Sequence, residues 1–593
     1  MNNESSAHTE GGRLQGRVQE RLQGLVQRRK LPTIDTTLHE NPVVHRVLSA
    51  RGVRHPDELK LSLQEIPTPN TLPDIQLAVQ RLIEARRHQQ RILIVGDYDC
   101  DGATSTAVAV LGLQMLGFEQ IAFFVPERIK FGYGLSAEIV DIARNEFQAQ
   151  LIVTVDNGIA SADGVARASA YGIDVLVTDH HLAPDDLPEA VALVNPNLPG
   201  SAFPSPNLAG VGVIFYTLLA LRSELKRVED AYCKAPLAEL LDLVAIGTVA
   251  DVVPLDAVNR TLVEQGLRRI RANKTRPGVK ALLKVAGKRH ETITTQDIGF
   301  GIGPRLNAAG RIDDMRVGVQ CLLADNDELA RALADRLNAL NRERQSIEAQ
   351  MRASANEQLE VLALNDNHVS DAFGLCFKGE QWHQGVIGIL AGRIKESTHK
   401  PVIAFAQDTE ATLKGSARSI PGVHIRDVLQ NIVTRHPDYV QQFGGHAMAA
   451  GLTICASRFD AFTVAFNDAV KEALGGVHRA RDYLSDGPLD AGERTLETAL
   501  LLAKVMPWGQ AFEAPVFDGI MRIHTQKILK EAHLKLSLIC PESDQRLEAI
   551  AFNQRPVARE GELVQIVYSL DSNNYKSSTT LQLRIQHLAH VPD

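Results

Sequence analysis

The stretch "ILIVGDYDCDGATS", residues 92–105, decides how the chain is read. Four apolar residues run into a glycine, and three acids follow at alternate positions, Asp97, Asp99 and Asp101. A buried strand ending in clustered negative charge sets those charges at a sheet rim, where open parallel sheets bind their ligands. Similar β-branched runs recur along the chain: RILIV (91–95), IAFFV (121–125), LIVTV (151–155), DVLVT (174–178) and AVALV (190–194). Segments with helical spacing separate them, over 103–117, 135–147 and 161–171. Apolar strands alternating with helices predict an α/β fold whose parallel sheet is covered on both faces.

The strand ends repeat the acidic theme. LIVTV runs into Asp156, and DVLVT into Asp179, His180 and His181. Asp251 leaves the apolar block LLDLVAIGTVADVVPL (240–255), whose periodicity fits helix or strand. One Asp at a strand end reads equally well as a turn residue or a helix N-cap. The set reads differently. Two carboxylates about 4 Å apart repel by about 4 kcal/mol at an effective dielectric near 20, so several together demand protons or cations. The six cysteines are scattered without a CxxC pair, which argues against a disulfide framework and a thiolate zinc site. Carboxylate and imidazole donors without thiolate favour Mn²⁺ or Mg²⁺.

Length and composition bound the rest. At 593 residues the chain is expected to hold several domains, and 44% hydrophobic with 23% charged residues is ordinary for a globular protein. No apolar run reaches membrane-span length and the N-terminus lacks the apolar core of a secretory signal, so no membrane and a cytoplasmic location are expected. With a net charge of −8, any nucleic-acid surface must be a local basic patch. Residues 13–30 are basic and amphipathic, a solvated helix face or a phosphate contact. The expected organisation is a basic helical N-terminal extension over 1–70 and a catalytic α/β domain over 71–324. A long connecting helix over 325–365, free of Gly and Pro, leads to a smaller α/β domain over 366–475. Five short alternating segments within 476–593 predict an OB-like β-barrel.

The ordered runs D-Y-D-C-D-G (97–102), V-D-N-G (155–158), D-H-H (179–181) and A-D-V-V-P-L (250–255) resemble the motifs of the DHH phosphoesterase superfamily. GPRLNAAGR (303–311), WHQGVIGILAGRI (382–394), GSARS (415–419) and GGHAMAAG (444–451) are similar to its RecJ family, the last three to the DHH-associated domain. The resemblance implies a single-stranded-DNA-specific 5′ to 3′ exonuclease that releases 5′ mononucleotides in DNA recombination and repair. It implies two Mn²⁺ or Mg²⁺ ions held by Asp99, Asp101, Asp156, His180 and Asp251, with Asp156 bridging and Asp97 a ligand or an orienting acceptor. Asp179 is expected to hold His180 while His181 faces the scissile phosphate as a catalytic group, unless the two histidines exchange roles. Arg128, Arg305, Ser416 and Arg418 are expected to grip the 5′ phosphate, with Asn307, Arg311 and His446 along the same nucleic-acid path. The helix opening near 384–390 is a further phosphate contact or simply a packed helix start.

A single-strand DNA-binding protein and a repair helicase are the partners the family suggests, and a monomer is expected. Related nanoRNA or nucleotide phosphatases and manganese pyrophosphatases are alternatives, but their chains are shorter and lack the barrel. A non-catalytic single-strand scaffold is the alternative from another class, and it has no use for a complete charge cluster. No GxSxG motif and no Cys beside a His supports a covalent nucleophile.

Overall fold

The computed structural model describes residues 26–33, 36–364, 371–479, 481–530, 532–575 and 578–591, without the side chains of residues 128, 129, 362–364, 574 and 575. The chain forms two compact units. One takes in the described residues up to Gly310, Asp314–Asn338 and those from Asp482 onward; the other takes in Arg311–Asp313 and Ala339–Arg481.

In the first unit, strands β2 (Ile92–Gly96), β3 (Ile121–Phe124), β4 (Leu151–Val155), β5 (Asp174–Thr178) and β6 (Ala192–Val194) form one sheet in the order β3-β2-β4-β5-β6. All four pairings are parallel, as the β-branched runs predict. Every residue of β2 and β4 is buried, because helices cover both faces. Ile152, fully buried in the core cluster, is the kind of side chain whose truncation to Ala costs about 2–5 kcal/mol. Sheet order reverses between β2 and β4, so the crevice lies beyond the carboxyl ends of those two strands. Helix α1 (Cys100–Met115) follows β2 and is buried along most of its length. Helix α2 (Gly210–Arg227) packs on it, and helix α3 (Leu241–Ala250) packs on both. The ambiguous block at 240–255 is therefore mainly helix, apolar all round because it is enclosed.

The same unit contains a closed barrel of β13 (Phe517–Leu529), β14 (His533–Ile539), β15 (Arg546–Ala551), β17 (Ser578–His590) and β16 (Leu563–Tyr575), in that order. β15 and β17 pair in parallel and the other pairings are antiparallel. The basic stretch 13–30 lies outside the described residues up to 25, and its end corrects the helical reading. Val26–Arg28 is a short strand, β1, paired in parallel with β12 (Tyr483–Ser485). Its charges meet acids: Arg28 lies 2.8 Å from Asp518, Arg29 3.0 Å from Glu513. Strand pairing and local carboxylates decide the conformation there.

Helix α4 (Gly303–Ile312) and the long helix α5 (Asp327–Leu364) follow. The second unit has a sheet in the order β10-β11-β9-β8-β7, formed by β7 (Leu375–Gly379), β8 (Val402–Gln407), β9 (Thr412–Arg418), β10 (Val440–Gly445) and β11 (Ala449–Cys455). Phe405, Phe462 and Phe466 fill one side, with Phe405 edge-on to Phe462 at 5.7 Å between ring centroids. Helix α6 (Ile387–Thr398) packs on β8 and β9. Among the described residues no helix is long and apolar enough to cross a membrane.

Candidate metal centre

Each acid is delivered by an element end. Asp99 caps α1, accepting from the Gly102 amide at 3.0 Å. Gly102 must lack a side chain because a Cβ there would collide with the Asp97 backbone. Asp101, fully buried, accepts from the Gly210 and Val211 amides at 2.6 and 3.1 Å, the first turn of α2. A helix N-terminus thus offsets part of the cost of burying that carboxylate. Asp156 follows β4 with φ +63, a left-handed conformation that a non-glycine residue adopts only where its surroundings impose it. Its amide is tied to the Thr178 carbonyl at 3.0 Å. Asp251 is the C-terminal cap of α3.

These ends converge. Ligand atoms of Asp156, His180 and His181 lie within 4.8 Å of one another, as do those of Asp101, His180 and Asp251, and of Asp97, Asp99 and Asp156. Asp156 and His180 each belong to two of the sets, which links the three. All six predicted metal ligands, Asp97, Asp99, Asp101, Asp156, His180 and Asp251, are thus gathered at one place. The Nε2 of His180 approaches Asp156 Oδ1 to 3.1 Å and Asp251 Oδ2 to 3.5 Å. Yet His180 Nε2 and Asp156 Oδ1 are buried atoms without a hydrogen-bond partner among the described residues. Two lone-pair atoms facing each other unsatisfied is what a cation's ligand shell looks like, so the donor set fits divalent metal.

The electrostatics agree. Burial, then the charges of Asp251 and Asp99, raise the Asp101 carboxyl well above the ordinary range. Burial, then Asp101 and Asp99, do the same to Asp156. Burial and the charge of Asp99 raise Asp251 to about 7. His180 is pushed down to about 4 by burial and by the neighbouring His181. Its contacts with Asp156 and Asp251 are therefore between a neutral ring and strained acids, not stabilising ion pairs.

The histidines divide otherwise than predicted. Asp179 Oδ1 lies 2.7 Å from His181 Nδ1, so Asp179 orients His181 and not His180. The same carboxylate accepts from the amides of His180 (2.7 Å), His181 (3.1 Å) and Ile159 (2.9 Å), which saturates it. Burial opposes charge on His181, but the hydrogen bond to Asp179 and the charge of Asp179 outweigh it and raise the ring to about 9. His180 is held instead by a hydrogen bond to the Leu208 backbone. Asn195 and Asn197 donate to the carbonyls of His181 and His180 at 2.9 and 2.6 Å and fix the turn. Sequence reasoning missed both asparagines, and it missed Tyr133. The Tyr133 hydroxyl donates to the Asp156 carbonyl at 3.3 Å and lies 3.0 Å from His181 Nδ1. Its glycine-flanked setting, with φ +76 at Gly132 and +82 at Gly134, was the available signal.

The predicted nucleic-acid residues part company. Arg128 has its side chain outside the described residues. Arg305 donates to Asn338 Oδ1 (3.1 Å), the Gly301 carbonyl (2.6 Å) and the Val285 carbonyl (3.2 Å). Three fixed acceptors around one guanidinium make it a brace. Asn307 Oδ1 accepts from the Cys100 amide at 2.7 Å, so it holds the acidic turn. In the second unit, Arg418 donates to Ser416 Oγ at 3.1 Å, and a Cβ at Gly388 would come within 2.7 Å of Arg418 Nη2 and 2.9 Å of Ser416 Oγ. Gly388 lies in the first turn of α6, and Arg311 donates to the Gly385 carbonyl just before it at 3.1 Å. His446 follows β10 at the same sheet end, its amide bonded to Ala449, the cross-strand partner of Arg418.

Comparison with known proteins agrees with this geometry. The family model "DHH family, N-terminal domain" matches residues 91–248, the "DHHA1 domain" 369–472 and the "RecJ OB domain" 485–587. The single-stranded-DNA-specific exonuclease RecJ of Salmonella typhimurium is 49% identical over 557 residues, covering 92% of this chain and 96% of that protein. The crystal structure of RecJ in complex with Mn²⁺ from Thermus thermophilus matches with TM-score 0.78 at 28% identity, over 96% of this chain and 80% of that one. The Mg²⁺ complex of the same protein matches with TM-score 0.73 at 27% identity, over 96% of this chain and 79% of that one. The chain therefore belongs to the RecJ family of single-stranded-DNA-specific exonucleases.

Proposed function

We propose that this protein removes nucleotides one at a time from the 5′ end of single-stranded DNA with two divalent ions, Mn²⁺ or Mg²⁺. The observation that carries it is the convergence of three overlapping ligand sets on Asp156 and His180. Asp99, Asp101, Asp156, His180 and Asp251 would hold the ions, with Asp97 as a further ligand or an orienting acceptor. When bound, the ions supply a reactive water at neutral pH and neutralise charge building on the phosphoryl oxygens.

The chain's own groups do the rest. Asp179 keeps a proton on His181 Nδ1, so the ring stays cationic and presents its Nε2 proton. Water adds to the phosphorus between the first two nucleotides, the bond to the 3′ oxygen breaks, and His181 gives that oxygen its proton. The first nucleotide leaves as a 5′ mononucleotide and the shortened strand carries a new 5′ phosphate. Arg418 and Ser416 beside the start of α6, with Arg311 and His446 in the same unit, suit the binding of a phosphate, and Arg128 is assigned to the same task. Arg305 and Asn307 are assigned to the same strand path, with Asn307 also holding the acidic turn through the Cys100 amide.

The extension, catalytic domain, connecting helix, DHH-associated domain and barrel divide near residues 70, 324, 365 and 475. All six cysteines are free, which suits a reducing cytoplasm. One chain carries the whole ligand set, which suits a monomer that takes its strand from a single-strand DNA-binding protein or a repair helicase. The test is digestion of a 5′-labelled single strand with Mn²⁺. Labelled mononucleotide as the first product supports the reading; release of label only in long fragments refutes 5′ attack.

A further inference from the structure

An exposed apolar feature adjoins the metal centre and takes no part in the chemistry above. Val252, directly after Asp251, has φ +63 and a side chain 62% exposed. A β-branched residue in the left-handed region is an outlier that the local fold must impose. Against the last turn of α3 lies a π-helical turn, Ile298–Ile302. A Cβ at Gly303 would be 3.3 Å from the Ala250 side chain, and one at Gly299 would be 3.9 Å from that of Val249. Phe300, within that turn, is 74% exposed, the most exposed large apolar side chain among the described residues. Single π turns in helices concentrate at functional sites. The turn continues into α4, whose Asn307 holds the Cys100 amide and whose Gly310 abuts the Tyr98 carbonyl. Phe300 and Val252 thus stand on the rim that carries the acids. Leu182, directly after His181, adds a third apolar side chain at 67% exposure.

We propose that Phe300 and Val252 form a platform for one nucleobase of the strand next to the scissile phosphate. The inference rests on the exonuclease reading, because its occupant is the strand whose phosphodiester enters the metal centre. A charged pocket receives the phosphate, and the base joined to it through one sugar needs an apolar surface beside that pocket. Stacking on an aromatic face tolerates every base, as an enzyme that digests any sequence requires. Hydrogen-bond readout would instead impose sequence preference.

The test uses the full-length protein, Mn²⁺ and 5′-phosphorylated single strands carrying one abasic nucleotide at each successive position from the 5′ end. At one position the wild type should lose roughly tenfold or more in kcat/KM, the scale of one base stack. Phe300→Ala should lose a similar factor on the unmodified strand and become indifferent to the abasic nucleotide at that position. Phe300→Trp should restore both, whereas Phe300→Leu should not, and Val252→Gly should weaken the discrimination. If Phe300→Ala digests the unmodified strand as fast as wild type and keeps the same abasic profile, the platform is wrong, as it is if Phe300 serves a protein partner. Wild-type digestion of the unmodified strand separates the two readings: no product there removes the exonuclease reading itself, whereas product with an unaltered profile removes only the platform.

Discussion

Asp179 Oδ1 lies 2.7 Å from Nδ1 of His181, and the Asp179 carboxylate is saturated by three backbone amides besides. A buried anion so fully bonded cannot turn to another partner, so Asp179 is the foremost of the acids that keep His181 protonated, ahead of Asp251 and Asp97.

Asp179→Asn should therefore lower kcat by about 10²-fold or more, the usual scale for a lost general acid or cationic stabiliser. The ring now titrates at about 9, and removing the charge that raises it lowers that value. The alkaline limb of the kcat–pH profile should move to lower pH. An unmoved limb in the variant would contradict the role given to Asp179.

The metal-free protein should lose stability as pH rises. Asp251 titrates at about 7 when folded, above its ordinary 3.8, so it favours the folded state fully below pH 3.8 and loses that contribution as pH rises through 7. Asp101 and Asp156 act in the same direction. In EDTA, the melting temperature should fall between pH 5 and pH 8, by roughly 2–4 °C per kcal/mol lost in a domain of moderate size. Mn²⁺ should reverse the trend and release protons on binding, measurable by calorimetry in buffers of different ionisation enthalpy.

Gly210→Ala probes the same cluster without replacing a ligand. The new Cβ would lie 2.6 Å from Asp156 Oδ1, inside contact distance. Overpacking should cost about 1–3 kcal/mol of stability, and displacing Asp156 should cost about 10²-fold in activity. Thermal melts and Mn²⁺ titration of the variant check both.

Arg418→Ala and Arg305→Ala should separate end recognition from bracing. The first should erase the preference for 5′-phosphorylated over 5′-hydroxyl strands, about 10- to 100-fold in KM for one charge-assisted contact. The second should also lower the melting temperature, since Arg305 is bonded to Gly301, Val285 and Asn338.

These predictions also mark what could be read from the chain alone. LIVTV became β4 at residues 151–155 because a strand buried on both faces must be apolar throughout. Asp97, Asp156 and Asp179 were legible as rim residues because each ends such a run. Which histidine Asp179 holds was not legible, since adjacent rings differ only in side-chain torsion. The bracing contacts of Arg305 and Asn307 were not legible because their partners lie 33 positions away or on the acidic turn, contacts that no local pattern encodes. Tyr133 was missed for a related reason: its hydroxyl works through a loop whose glycines carry no period. The two short strands β1 and β12 pair across most of the chain length, beyond any sequence window.

The central role proposed for Asp156 is that it would contact both ions. Crystals grown with Mn²⁺ and measured at the manganese edge should show two anomalous peaks per chain, both within coordination distance of Asp156, with Asp99, Asp101, His180 and Asp251 completing the shells. One peak, or two of which neither touches Asp156, would contradict it.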